Sequence, residues 1–265
     1  MIDEAYARFQ AVTEGENAQY IPALAAADPE AFGIAIVTVD GDVYGKGDTK
    51  QSFAIMSAAK PFTLALLLQQ RGAGTVLEKI GVEPTGLPFN SLEGADRSSP
   101  RPLNPMVNAG AITAVSLLQV EREEQRWPLI LDYYSRFAGE PLDLMEDVYR
   151  SVSGSNYRNR ALVNLLESGG WLEAEPRATL DVYNKQSCVA VTARQLAAMG
   201  ATLANGGVNP LSGQRVLAAD LVDEVLSVMM LSGFYDESGR WAYTTGLPAK
   251  SGVGGGVVAV VPGRM

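Results

Sequence analysis

Apolar positions follow two rhythms along this chain. Residues 32–40 (FGIAIVTVD) form an Ile- and Val-rich run typical of a buried strand, and Asp40-Gly41 then gives a hairpin turn into Val43-Tyr44-Gly45. From about Ser57 to Met229 the spacing lengthens to a helical period. Helices are predicted over 62–70 (FTLALLLQQ), 111–125 (AITAVSLLQVEREEQ), 160–168 (RALVNLLES) and 192–205 (TARQLAAMGATLAN). Thr192 suits the N-cap of the last one and Gly206-Gly207 its stop. Strand character returns at Trp241 to Thr245 and again over 256–261 (GVVAVV). Strands at both ends with helices between them predict an α+β fold. In that fold the terminal strands share one antiparallel sheet, and a helical lobe is inserted into it. Residues 1–72 and 190–265 would form the sheet lobe and 73–189 the helical lobe, with the active cleft between them.

Composition narrows the functions this fold could serve. Hydrophobic residues make up 47% of the 265 and charged ones 19%, the balance of a chain that buries a real core. A net charge of −9 gives no basic surface for nucleic acid or anionic membranes, so neither is expected as a partner. No apolar run approaches the length of a bilayer span, and the opening residues, MIDEAYARFQ, do not read as a signal peptide. The only cysteine, Cys188, fits a cytoplasmic protein without disulfides, and a small core residue is the plainest reading of it. The chain contains no histidine. That excludes a Ser-His-Asp triad, a Cys-His pair and imidazole-dependent zinc sites. A hydroxyl nucleophile here would need Lys, Tyr, Asp or Glu as its base, and no histidine-like transition near neutral pH is expected.

One short motif meets that requirement. Ser57-Ala58-Ala59-Lys60 is an S-x-x-K sequence, and residues three apart on a helix are neighbours. Pro61 places a helix start at or near Ser57, because proline is tolerated in a first turn. The positive end of the helix dipole would favour alkoxide character at Ser57. Lys60, partly desolvated by the apolar run behind it, could lose its proton near neutral pH and act as base. The competing reading is a capping serine with a surface lysine one turn on. Asn108 opens a helix and could equally be a cap, and Tyr183 and Tyr235 could be core aromatics. The glycines of 252–256, interrupted by Val253, permit close approach of backbone to a ligand, but no P-loop lysine–serine pattern follows them.

Longer blocks give the motif a context. Residues 83–91 (EPTGLPFNS) and 102–112 (PLNPMVNAGAI) closely resemble blocks of the serine-dependent, bacterial-type glutaminases. Tyr20-Ile21-Pro22, Phe32-Gly33-Ile34-Ala35, Arg158-Asn159-Arg160-Ala161, Tyr183 with Lys185-Gln186, Tyr235-Asp236 and 246–256 (GLPAKSGVGGG) are similar to the same family, in order along the chain. The resemblance implies a β-lactamase-like serine hydrolase fold that deamidates L-glutamine to L-glutamate and ammonia. It implies Ser57 as nucleophile, Lys60 as base, and Tyr183 and Tyr235 as catalytic tyrosines that also line the substrate site. Asn108 and Asn159 would bind the amino-acid end, with Tyr20 a further contact. The N–H groups of Val253 and Ser57 would hold the oxyanion. Lys250-Ser251-Gly252 stands where related enzymes carry Lys-Thr-Gly on a strand lining the cleft. No metal or organic cofactor is implied, and a homodimer or homotetramer is.

The chain departs from the family at three places. Val152 stands where a substrate-binding glutamate is expected, a departure that bears on specificity and keeps two alternatives open, a related amidase or esterase of different substrate and a catalytically impaired, glutaminase-derived binding protein. Met56 precedes the serine where family members usually have Gln, and Pro61 follows the lysine. Family members also continue beyond Met265 through a strand and a closing helix. From this sequence, a shortened gene or an open sheet edge covered by a partner subunit is therefore expected.

Overall fold

The computed structural model describes residues 1–92 and 101–265. Two short helices, α1 (Ile2–Phe9) and α2 (Pro22–Ala25), precede the central helix α3 (Lys60–Lys79), in which every residue from Lys60 to Leu68 is buried. The sequence predicted only 62–70 of it. The helix continues past a break at Gly72, whose φ of 75° and ψ of 167° suit glycine. Helix α4 (Asn108–Ser116) packs on α3 and on α8 (Pro176–Ser187), and α5 (Arg126–Ala138) packs on α3, α8 and α9 (Ala193–Ala204). Helices α6 (Glu146–Ser155) and α7 (Tyr157–Ser168) close the helical side. Capping fixes several of these starts. Thr192 Oγ1 accepts the Gln195 N–H at 3.2 Å while Gln195 Oε1 accepts the Thr192 N–H at 2.8 Å, the reciprocal box expected of that pair. The Glu175 carboxylate accepts from the N–H groups of Arg177 and Ala178 at the head of α8.

The expected helix over 111–125 is cut short at Ser116. The Gln119 N–H is taken by Gln70 Oε1 at 2.9 Å, and Gln70 Nε2 donates back to the Gln119 carbonyl at 3.1 Å. A fresh 3-10 turn, Glu123–Gln125, then leads into α5.

The strands form antiparallel pairs, two of them hairpins. β1 (Gly33–Val37) pairs with β2 (Val43–Gly47), in register Val37 to Val43 around Gly41 with φ 89°. β3 (Phe53–Ala54) pairs with β4 (Ala190–Val191), and β5 (Ala249–Ser251) with β6 (Val257–Ala259). The α+β class therefore holds, with antiparallel strands from both chain ends. Among the described residues, however, the end hairpins are not joined in one ladder. Both pack on α9, and a main-chain link between these regions runs from the Val39 N–H to the Arg264 carbonyl at 2.9 Å. After β6, Pro262 and Gly263 (φ 73°) turn the backbone, and the Met265 N–H returns to the Val261 carbonyl.

Residues 241–245, expected as strand, lie mostly in helix α11 (Ser238–Thr244), which packs on α10 (Val222–Ser232). The β-propensity of Trp, Tyr and Thr is overruled by tertiary contacts. Trp241 stacks on Phe234 with centroids 4.5 Å apart and donates its indole N–H to the Leu247 carbonyl at 2.7 Å. Ser238 Oγ accepts the Phe234 N–H at the helix start. Among the described residues no helix is long and apolar enough to cross a membrane. Cys188 is buried with its thiol pushed up to about 12 by burial, which suits a core residue rather than a nucleophile.

Candidate active site

Ser57 lies in a 3-10 turn, Met56–Ala59, that feeds directly into α3. Met56 before it has φ 49°, a left-handed backbone uncommon for a side chain of that size. The turn is braced from behind. Tyr134 donates to the Ala59 carbonyl at 3.0 Å, and Thr63, one turn on, donates to Gln186 Oε1 at 2.6 Å. Pro61 sits in the first turn of α3, where its missing N–H costs nothing.

Lys60 is only 2% exposed. Its Nζ donates to the Met106 carbonyl at 3.0 Å and to Asn108 Oδ1 at 2.6 Å, and Asn108 Nδ2 donates in turn to Asn159 Oδ1 at 2.9 Å. Burial brings the Lys60 ammonium down to about 7. The surface-lysine reading of the S-x-x-K motif therefore fails for this chain. The lowered proton affinity agrees with a Lys60 that loses its proton near neutrality, in the range a histidine would occupy.

The Tyr235 phenol lies beside the Ser57 hydroxyl, and burial raises it so that it stays protonated. Tyr235 itself has φ 57°, and its ring packs against Phe89 with centroids 5.4 Å apart. The ring also faces two lysines, Lys60 Nζ at 5.5 Å and Lys250 Nζ at 4.0 Å from its centroid. Lys250 is fully buried and donates to the carbonyls of Gly233 at 2.9 Å and Ser251 at 2.6 Å. Burial, with the Lys60 charge second, holds Lys250 well below the usual lysine range. Burial likewise raises Tyr183 and Tyr20.

The glycine loop packs on the serine turn. A Cβ at Gly252 would lie 2.7 Å from the Ile55 carbonyl oxygen and 3.3 Å from the Ser57 nitrogen, and one at Gly254 would meet the Ala54 carbonyl oxygen at 2.2 Å. Only glycine allows this approach. Among the described residues, neither the Ser57 nor the Val253 N–H is spent on another backbone carbonyl.

Tyr20, Ser57, Asn108, Asn159, Tyr183 and Val253 line one cleft of about 100 Å³. Tyr235 joins it through its ring contact with Phe89, and Lys60 through Asn108. The structure thus brings together all the residues singled out from the sequence. It adds Phe89, Ser155, Asn156 and Asn184, which also border the cleft and were not anticipated. Asn184 directly follows Tyr183 in a block that resembles the family, which was the available signal. A larger cavity of about 440 Å³ lies elsewhere, near Thr49, Glu140 and Arg194. Its charged lining residues, Lys50, Glu140 and Arg194, are all exposed, so no group there is desolvated for chemistry.

A serine and a buried lysine on successive helical turns, in a cleft shared by helices and a glycine-bearing strand loop, define a β-lactamase-like amidohydrolase. The glutaminase family profile matches residues 15–265. A curated glutaminase of Colwellia psychrerythraea is 47% identical over 264 residues, covering 100% of this chain and 85% of the relative. Glutaminase 1 of Shigella flexneri is 48% identical over the same length and shares. Among solved structures, that of the probable glutaminase ybaS superposes with a TM-score of 0.97 at 48% identity, covering 100% of this chain and 85% of that one. The crystal structure of Mglu in its tris and glutamate form gives a TM-score of 0.94 at 40% identity over 99% of this chain and 59% of that one. The chain belongs to the glutaminase family.

Proposed function

We propose that the chain hydrolyses the side-chain amide of L-glutamine to L-glutamate and ammonia through an ester on Ser57. The hydrogen bonding of Lys60 carries this reading. A neutral amine has two N–H groups and one lone pair. The Met106 carbonyl and Asn108 Oδ1 take the two N–H groups, which leaves the lone pair free to accept a proton. Ser57 Oγ attacks the amide carbon as its proton passes to Lys60 Nζ, and the carbonyl oxygen gathers charge beside the Ser57 and Val253 N–H groups. The C–N bond then breaks, and the Tyr235 hydroxyl passes a proton to the departing nitrogen, which leaves as ammonia. Tyr235 is reprotonated from Lys60. Water, deprotonated by the same lysine, hydrolyses the ester and restores Ser57. Asn108, Asn159, Tyr183 and Tyr20 orient the amino-acid end. The glutamate form of Mglu, a structural neighbour, supports this substrate class.

A diazo-ketone analogue of glutamine should add covalently to Ser57, as read by intact mass and peptide mapping, and Ser57→Ala should abolish the adduct. An adduct that persists in Ser57→Ala would assign the nucleophile elsewhere. A chromogenic β-lactam run beside L-glutamine tests whether the shared fold carries penicillin-type hydrolysis instead. The pH dependence follows from the same lysine. The base is the neutral form, so kcat/KM should climb as pH rises through about 7 and flatten above it. A pH profile flat from 5 to 9 would remove Lys60 from that role. We also place the protein in the cytoplasm as a homodimer or homotetramer, and sedimentation velocity tests the assembly.

A further inference from the structure

The cleft wall built by α6 and α7 has an unusual charge balance for a zwitterionic substrate. Among the described residues that line it, none is Asp or Glu. The cation there is Arg158, whose Nε is fixed by the Asn90 carbonyl at 2.6 Å. Asn156, Arg158 and Asn159 bring the start of the 12-residue helix α7 to the same wall, and the Asn156 side chain makes no cap bond. Both features suit an anion. Beside them Val152, 6% exposed, belongs to an apolar cluster with Ile21 and Met56, and Val253 packs against it. Two acceptors remain without partners: Asn156 Oδ1, and Oδ1 of Asn184, a residue only 3% exposed.

The α-carboxylate of glutamine therefore has counter-charge available, and its α-ammonium has none. An ammonium desolvated against Val152 with only neutral acceptors binds poorly. An acylated α-nitrogen needs a single acceptor for its one N–H, and its acyl carbon gains from an apolar wall. We propose that this site prefers glutamine whose α-nitrogen is acylated, an Nα-acyl-L-glutamine, over the free amino acid, with Val152 as the specificity-determining residue. This rests on the amidohydrolase reading above, and the bonds made and broken are the same. The amide yields ammonia and an Nα-acylglutamyl ester of Ser57, which water converts to Nα-acyl-L-glutamate. Tyr20, 55% exposed, and the exposed Arg158 leave the cleft open where the acyl group would emerge.

The test is ammonia release from Nα-acetyl-L-glutamine and from L-glutamine, as kcat/KM, in the wild type and in Val152→Glu. The wild type should favour the acetylated substrate by about tenfold or more, the scale of an uncompensated polar group in a pocket. Val152→Glu should reverse the order by raising L-glutamine about thirtyfold or more, as expected of a restored charge pair. A wild type that favours free L-glutamine overturns the proposal and leaves the amidohydrolase reading standing. Ammonia from neither substrate overturns both. The wild-type ratio decides even if the glutamate variant does not fold, and Val152→Gln then serves as the second variant, with a smaller gain for L-glutamine.

Discussion

Lys60→Ala should lower kcat/KM for ammonia release beyond the ~10²–10⁴-fold typical of losing a general base alone. Three roles meet in this side chain. Its amine is the base one turn from Ser57. It also holds Asn108 Oδ1 at 2.6 Å and the Met106 carbonyl at 3.0 Å, so its loss leaves both acceptors buried without a donor. It faces the Tyr235 ring, as Lys250 does, so its removal relaxes the charge that helps to lower the second lysine. Lys60→Met separates packing from chemistry, because it fills nearly the same volume without a proton acceptor. Both variants should be equally inactive, while Met should retain more of the thermal stability. Near-normal turnover in either one would end the Ser–Lys mechanism.

The parts of this site that were legible in the sequence are the local ones. The Ser57–Lys60 spacing and Pro61 predicted a serine at a helix start with a lysine one turn on, and the structure has that arrangement. Composition removed histidine chemistry outright. The scattered residues, from Tyr20 to Val253, could be gathered only by resemblance, because no periodicity links positions so far apart. The misreadings have physical causes outside the local pattern. Residues 117–125 look helical, but the paired bonds between Gln70 and Gln119 take the backbone groups the helix would need. Residues 241–245 look like strand, but Trp241 is anchored to Phe234 and Leu247. The proton affinity of Lys60 was legible through the apolar run behind it, which points to desolvation, and complete burial brings the amine to about 7.

Gly252→Ala should lower kcat by about 10²–10³-fold, the loss expected when an oxyanion donor is displaced, and leave KM little changed. The backbone at this residue is not in the left-handed region, so alanine is conformationally allowed and the effect is one of contact. The added Cβ would stand 2.7 Å from the Ile55 carbonyl oxygen, 3.0 Å from the Ala58 nitrogen and 3.3 Å from the Ser57 nitrogen. Those are backbone atoms of the serine turn, so the strand end must yield instead. The loop that would move is closed by its own bonds, Gly252 N–H to the Gly256 carbonyl at 2.8 Å and Gly255 N–H to the Gly252 carbonyl at 3.0 Å. A shift at Gly252 is therefore transmitted to the Val253 N–H. A donor that meets charge only in the transition state alters kcat and not ground-state binding. Gly239→Ala is the control, since its Cβ would meet nothing within 4 Å and it lies in helix α11. That variant should keep wild-type kcat and melt slightly higher, as alanine favours a helix by roughly 0.5–1 kcal/mol over glycine. Wild-type kcat in Gly252→Ala would remove Val253 from the oxyanion hole. A rise in KM matching any fall in kcat/KM would instead assign the loop to substrate binding.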